Sequence, residues 1–252
     1  MLLAAGYGKR LRPITYETPK CLVSIKGEPL LNIWLRRLKN NNFGPFLINT
    51  HFLSSKVKDY LENSKFLADT KLTHEKNLLG TAGTLIKNID FYNNKDGLFI
   101  HADNYSLVNL KEFKNHHENR PKNCLLTMLT FRSQQPSNCG IVTIDKKGIV
   151  KSFDEKVLNP PGNLANGAIY ILSNQMMKIL KNKYDKAMDF SKEILPNFIG
   201  KIYTYETKEI FADIGASKAL LDGKSLLSAG VTKANGNFDK GDTLVIFNDK
   251  NI

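Results

Sequence analysis

The chain has 252 residues and a formal net charge of +12, with 36 Lys and Arg against 24 Asp and Glu, and 42% of it is hydrophobic. That length suits one large α/β domain, or one domain plus a small appendage, with a real core. No apolar run is long enough to span a bilayer, the N-terminal one is too short for a signal peptide, and Cys21, Cys124 and Cys139 lack metal or redox spacing, so a reduced, cytoplasmic protein is expected. The lysines are scattered, often beside asparagine, with no basic helix among them, so nucleic acid is not an expected partner.

The first element is a short apolar run that reads as a buried strand and stops at Ala4-Ala5-Gly6. Gly6 and Gly8 allow positive φ and close approach to the main chain. Loop amides together with Lys9, Arg10, Arg12 and Lys20 would make a concentrated anion site suited to a polyphosphate. The spacing is not a Walker A loop, nor a dinucleotide fingerprint, since Leu11 stands where the third glycine would be. Taken bare, the same residues fit a plain strand-to-loop turn.

Pro29 to Asn40 carries a helix stripe of Leu30, Leu31, Ile33, Trp34, Leu35 and Leu38, and 40–45 stops it. Phe46 to Thr50 reads as a strand, Ser55 to Phe66 as a helix, and Lys71 to His74 as a short strand leading to Glu75. Leu78 to Leu85 opens a helix, Leu98 to Ala102 is a strand ending on Asp103-Asn104, Leu110 to His117 a helix, and Leu125 to Phe131 a strand. Gly140 to Ile144 and Ile149 to Asp154 make a hairpin. Asn166 to Leu172 is a strand, Gln175 to Lys181 and Ser191 to Phe198 are helices, and Ile202 to Glu206 and Ile210 to Ala212 are late strands before Asp213. This alternation predicts an α/β fold of three layers, α/β/α and Rossmann-like, around a mixed, mostly parallel sheet. Ligands bind such sheets at the carboxyl ends of strands, which puts the loop from Gly6 to Lys20 on the same edge as Asp103. His101, His116 and His117 have no metal spacing and read as surface or strand-end residues.

From Leu3 to Lys20, with Thr15 and Pro19 in place, the chain resembles the signature of the sugar-1-phosphate nucleotidyltransferases, the nucleoside-diphosphate-sugar pyrophosphorylases. Members carry further strand residues before this leucine, so the start reads as truncated. The resemblance implies attack of a sugar 1-phosphate oxygen on the α-phosphorus of a nucleoside triphosphate, with release of pyrophosphate. Such a step needs positioning and charge neutralisation more than a covalent nucleophile.

Carried over residue by residue, the resemblance implies catalytic roles for Arg10, Lys20 and Asp103 and places Ala5, Gly6, Gly8, Gly80, Thr81 and Gly83 against the nucleotide. Gly140, Glu155, Lys156, Asn166 and Gly167 match the sugar-phosphate side, and Asp103 with Asp213 would bind Mg²⁺, a hard cation that takes few protein ligands. Ala102 departs from the family's glycine before the aspartate. The expected partners are an NTP and a sugar 1-phosphate, without a membrane, and a homo-oligomer stays open. The Gly80-Thr81-Ala82-Gly83 segment leans towards mannose or heptose 1-phosphate guanylyl transfer over thymidylyl or uridylyl transfer. A chain that is non-catalytic and binds RNA is the alternative from another class.

The resemblance covers roughly residues 1–215. From Gly223-Lys224-Ser225-Leu226-Leu227 to Gly236-Asn237-Phe238-Asp239-Lys240-Gly241-Asp242, the tail resembles the opening of the PUA domain of glutamate 5-kinases. Residues 216–252 are therefore expected to be an incomplete β appendage, and the chain a chimera or a truncation with no glutamate kinase activity.

Overall fold

Alternate residues of the strand segments are apolar on both sides, so the sheet has to be covered on both faces. The computed structural model describes residues 1–214. Within them the order is β1 (Leu2–Leu3), α1 (Leu30–Asn40), β2 (Phe46–Thr50), α2 (Ser54–Glu62), β3 (Thr70–His74) and α3 (Gly80–Lys87). Next come β4 (Gly97–His101), β5 (Asn104–Ser106), α4 (Leu110–Glu118), β6 (Leu126–Arg132), β7 (Gly140–Ile144) and β8 (Val150–Glu155). The last are β9 (Leu164–Leu172), α5 (Asn174–Lys183), β10 (Ile202–Glu206) and β11 (Phe211–Asp213).

The main sheet runs β8-β7-β9-β4-β1-β2-β3, with β6 beside β9 and β10 beside β6. β1 is parallel to β2 and β4, β2 to β3, and β6 to β10. β9 is antiparallel to β4, β6 and β7, and β8 to β7. Only β9 and β8 therefore run against the rest of this sheet among the described residues. The expected mixed, mostly parallel sheet is present.

The two faces meet different cores. Leu98 and Ile100 of β4 pack with α1, α2 and α4 through Trp34, Leu61 and Phe113. Phe99 between them points the other way, to a cluster with Leu85 of α3, Met176 of α5 and Phe190. Phe99 and Trp34 are both essentially fully buried, and truncating either to Ala would cost about 3–5 kcal/mol. Trp34 also anchors α1 to the site, because its Nε1 donates to the Asn104 carbonyl at 2.7 Å.

Helix starts follow local chemistry. Asn109 caps α4 by accepting from the Glu112 amide, and Ser173 caps α5 by accepting from the Met176 amide. The helix expected to reach Phe66 ends at Glu62, where the Ser64 hydroxyl folds back to the Leu61 carbonyl and Phe66 plugs the core after the turn. The helix expected over Ser191 to Phe198 is instead a π-helical turn, Phe190–Ile194, followed by a 3₁₀ turn, Leu195–Phe198. Pro196 lacks the amide that a continuous α-helix needs there. His117, expected at the surface, is buried, with hydrogen bonds to Thr127 Oγ1 at 2.8 Å and Asp96 Oδ2 at 3.1 Å. Among the described residues no helix is long and apolar enough to cross a membrane. The expected PUA-like appendage, 216–252, lies outside the described residues.

Candidate active site at the carboxyl edge of the sheet

β1 ends at Leu3, and the chain leaves the sheet over its carboxyl edge. Gly8 stands in the left-handed region at φ 62°. Its carbonyl accepts from the Thr15 hydroxyl at 2.7 Å and from the Leu11 amide at 2.8 Å, so the loop closes on itself. A Cβ on Gly8 would stand 2.8 Å from Thr15 Cγ2, whereas one on Gly6 would meet no atom within 4 Å. Gly8 is therefore required by the turn, and Gly6 leaves room for something else.

That room belongs to a cavity of about 240 Å³, with Ala5, Gly6, Lys20, Gly80, Thr81 and Asp103 among its walls. Six residues from three distant stretches of chain are thus brought together. Arg10 is exposed on the 3₁₀ turn Lys9–Leu11, and it, Gly8 and Gly83 are not among the residues that line the cavity.

Lys20 Nζ donates to Asp103 Oδ2 at 2.5 Å, with the lysine side chain 9% exposed and the aspartate 38% exposed. Burial works against the charged carboxylate, but the Lys20 cation and then His101 outweigh it and hold Asp103 below its usual range. The result is a charged carboxylate and ammonium, paired but still reachable from the cavity.

The opposite wall is the start of α3. Gly80 has φ 73°, and a Cβ there would lie 2.3 Å from the Met188 carbonyl oxygen. The same carbonyl accepts from the Ala82 amide at 2.9 Å, and the Thr81 hydroxyl accepts from the Phe190 amide at 2.8 Å. Gly83 packs against Leu79 and Ala187, so its small size serves helix packing.

Asn49, Glu75 and Thr84 also line the cavity, carry no motif and are not legible in the sequence. Asn49, at the end of β2, accepts from the Ala4 amide at 2.8 Å and donates to Glu75 Oε1 at 2.9 Å. Glu75 is 3% exposed and also accepts from Thr84 Oγ1 at 2.6 Å and from the Leu79 amide at 3.1 Å. The only available signal was position, since Asn49 and Glu75 stand at or just past the carboxyl ends of β2 and β3.

The expected sugar-side residues form a row across three strands. Glu155 pairs with Gly140, and Ala165 pairs with Ile141, which brings Asn166 beside Gly140. Gly140 has no room for a side chain, because a Cβ would lie 2.5 Å from Glu155 Oε2. Asn166 opens an irregularity in the β9–β6 pairing; its Nδ2 donates to the Tyr170 hydroxyl at 2.7 Å and its Oδ1 accepts from the Ala168 amide at 2.9 Å. The carbonyl of Gly167 accepts from Asn104 Nδ2 at 3.0 Å, joining this row to the turn after Asp103. Lys156 follows at φ 54°, largely exposed, with Nζ 3.5 Å from Glu155 Oε1.

β11 completes the edge. Asp213 pairs with Asn104, and the Ile214 amide donates to the Asp103 carbonyl at 3.2 Å. The Asp213 backbone therefore runs alongside the segment that carries Asp103, and its side chain lies outside the described atoms.

A family model described as nucleotidyl transferase matches residues 1–229, and one described as PUA domain matches residues 208–251. A mannose-1-phosphate guanylyltransferase catalytic subunit beta from Drosophila melanogaster is 28% identical over 232 residues, covering 90% of this chain and 62% of that protein. A glucose-1-phosphate adenylyltransferase from Desulfitobacterium hafniense is 26% identical, covering 85% of this chain and 60% of that protein. The chain thus spans about three fifths of the length of the curated relatives it matches. The crystal structure of HddC from Yersinia pseudotuberculosis complexed with GMP-PN aligns with a TM-score of 0.73 at 23% identity, covering 88% of this chain and 95% of that one. With the nucleotidyl transferase model matching 1–229 of 252 residues on the expected fold, the chain belongs to the nucleotidyl transferase family.

Proposed function

We propose that the chain transfers a nucleotidyl group from an NTP to a sugar 1-phosphate, releasing pyrophosphate, and that the nucleotide is guanylyl and the sugar mannose- or heptose-like. The observation that carries this reading is the Lys20–Asp103 pair on a cavity whose other walls are an open Gly6 and the start of α3. Positive charge and loop amides meet the triphosphate, and Gly80 and Thr81, which line the cavity at the start of α3, face the base and ribose. Guanylyl transfer is supported by that segment and by the name of the fruit-fly relative.

In this reading Lys20 and Arg10 neutralise the charge that builds on the α-phosphate and the departing pyrophosphate. Glu155 and Asn166 hydrogen-bond sugar hydroxyls, and Lys156 meets the sugar phosphate. Asp103 is an anionic oxygen donor within reach of the cavity, and no group of three or more His, Cys, Asp or Glu positioned for a metal occurs among the described residues. That donor set fits a hard cation that draws most of its ligands from phosphate and water, so Asp103 and Asp213 would hold Mg²⁺. When bound, Mg²⁺ supplies further neutralisation of the phosphates. We place the end of this domain near residue 215, inside the overlap of the two family matches, and the free Cys21, Cys124 and Cys139 suit a reducing cytoplasm.

The test is pyrophosphate release over a panel of NTPs and sugar 1-phosphates, with Mg²⁺ and with chelator. Turnover should need both substrates and metal, and be fastest with GTP and mannose or heptose 1-phosphate. No release with any pair would sink the proposal.

A further inference from the structure

Tyr7 sits between the two glycines of the loop, where nothing in the turn demands a large side chain, yet its ring is held on several sides. Its hydroxyl is 3.0 Å from His51 Nε2. The ring meets His51 edge-on at 5.4 Å between centroids and packs on Phe52 at 5.5 Å, with Lys9 Nζ 5.6 Å over its face. His51 Nδ1 lies 2.7 Å from the carbonyl oxygen of Glu75. A carbonyl only accepts, so Nδ1 carries the proton; in the neutral ring Nε2 is then the acceptor and the Tyr7 hydroxyl the donor.

Glu75 is the node at the far end. Its main chain takes the His51 bond, while its buried carboxylate takes Asn49, Thr84 and the Leu79 amide just ahead of α3. One residue therefore ties the glycine loop to the helix on the other side of the cavity.

We propose that Tyr7, His51 and Glu75 form a positioning latch that sets the spacing between the glycine loop and the start of α3, so that a nucleotide meets a ready-made slot. The inference rests on the nucleotidyl-transfer reading for its ligand. A loop with two glycines samples many conformations when untethered. Without the latch, ordering it falls to the incoming nucleotide and weakens apparent affinity. Tyr7 and His51 are not among the residues that line the cavity, so losing their bond should raise KM for the NTP and leave kcat and the sugar-phosphate KM unchanged.

The experiment compares wild type with Tyr7→Phe, His51→Leu and the double variant. Tyr7→Phe keeps the ring and removes only the hydroxyl, on a side chain 37% exposed, so folding is not at stake. Two readouts are taken: KM for each substrate, and limited trypsin cleavage at Lys9 and Arg10, both exposed on the loop. The expected result is faster cleavage at those two sites and an NTP KM raised about threefold to tenfold, the worth of one neutral hydrogen bond, with the double variant no worse than His51→Leu alone. Unchanged cleavage overturns the latch. Faster cleavage with an unchanged NTP KM, or additive effects in the double variant, overturns its positioning role. If wild type turns over no substrate pair, the parent reading fails instead, and the cleavage pattern with equilibrium GTP binding to the same variants judges the latch.

Discussion

Lys20 Nζ and Asp103 Oδ2 stand 2.5 Å apart, joining the end of the glycine loop to the end of β4. A pair this short, with one partner open to the cavity, separates a catalytic role from a structural one. Because Asp103 is 38% exposed, solvent screening limits the pair to about 1 kcal/mol of stability. Lys20→Met should therefore shift the urea midpoint only slightly while cutting turnover about a hundredfold or more, the scale of losing a preorganised charge donor. Denaturation alongside pyrophosphate release checks both halves. A large stability loss with matching activity loss would make the pair a structural bridge.

The glycines around the cavity make opposite predictions. Gly6→Ala meets no atom within 4 Å, so it should fold as well as wild type yet weaken NTP binding by intruding on the cavity. Gly80→Ala is strained twice, by φ 73° and by a contact of 2.3 Å with the Met188 carbonyl, a backbone atom that cannot swing aside. Left-handed strain and overpacking together should cost about 2–4 kcal/mol. Thermal melts and GTP titrations of the two variants tell them apart.

His117 gives the fold an acid limit. Burial, then the Arg120 cation, pushes its pKa down to about 4 from 6.5, with the Asp96 bond opposing. Between those values the unfolded chain binds a proton that the folded chain refuses, so stability falls as pH drops from about 6.5 to about 4. The full loss is on the order of 3 kcal/mol. His117→Gln, with no group titrating there, should flatten the dependence of the urea midpoint on pH across this window. An unchanged slope in the variant would assign the acid sensitivity to other groups.

The fold was legible because strand and helix periods were clear. Phe46–Thr50 and Gly140–Ile144 stand as expected, and α1 differs only in that Pro29 caps it. Segments where local and tertiary demands compete were less readable. Nothing before Pro196 announces a π-turn, and His117 is polar yet buried because Asp96 and Thr127 supply partners from other elements. Around the cavity, Gly6, Gly80 and Asp103 could be picked out by pattern. Glu75 could not, because its importance lies in four partners that converge only when β2, β3 and α3 are assembled.

The row Glu155–Gly140–Asn166 offers the last separation, between binding and support. Glu155 lies beside a glycine that leaves it room; its carboxylate pairs with the exposed Lys156, and its charge also acts on the buried Tyr170 phenol. Glu155→Gln preserves shape and removes charge, so it should raise KM for the sugar 1-phosphate about tenfold, the worth of a charged hydrogen bond, and leave the NTP KM and stability alone. Asn166 does two jobs, since it binds the buried Tyr170 hydroxyl and the Ala168 amide that shape the irregularity in β9. Asn166→Ala should therefore lose about 1–3 kcal/mol of stability as well as sugar-phosphate affinity. Tyr170→Phe, which keeps Asn166 but removes its phenolic partner, separates the two effects: if it reproduces the stability loss with normal sugar-phosphate KM, Asn166 itself contacts the sugar. If it reproduces the KM change as well, Asn166 acts by shaping the strand, and the sugar hydroxyls must be met by Glu155 instead.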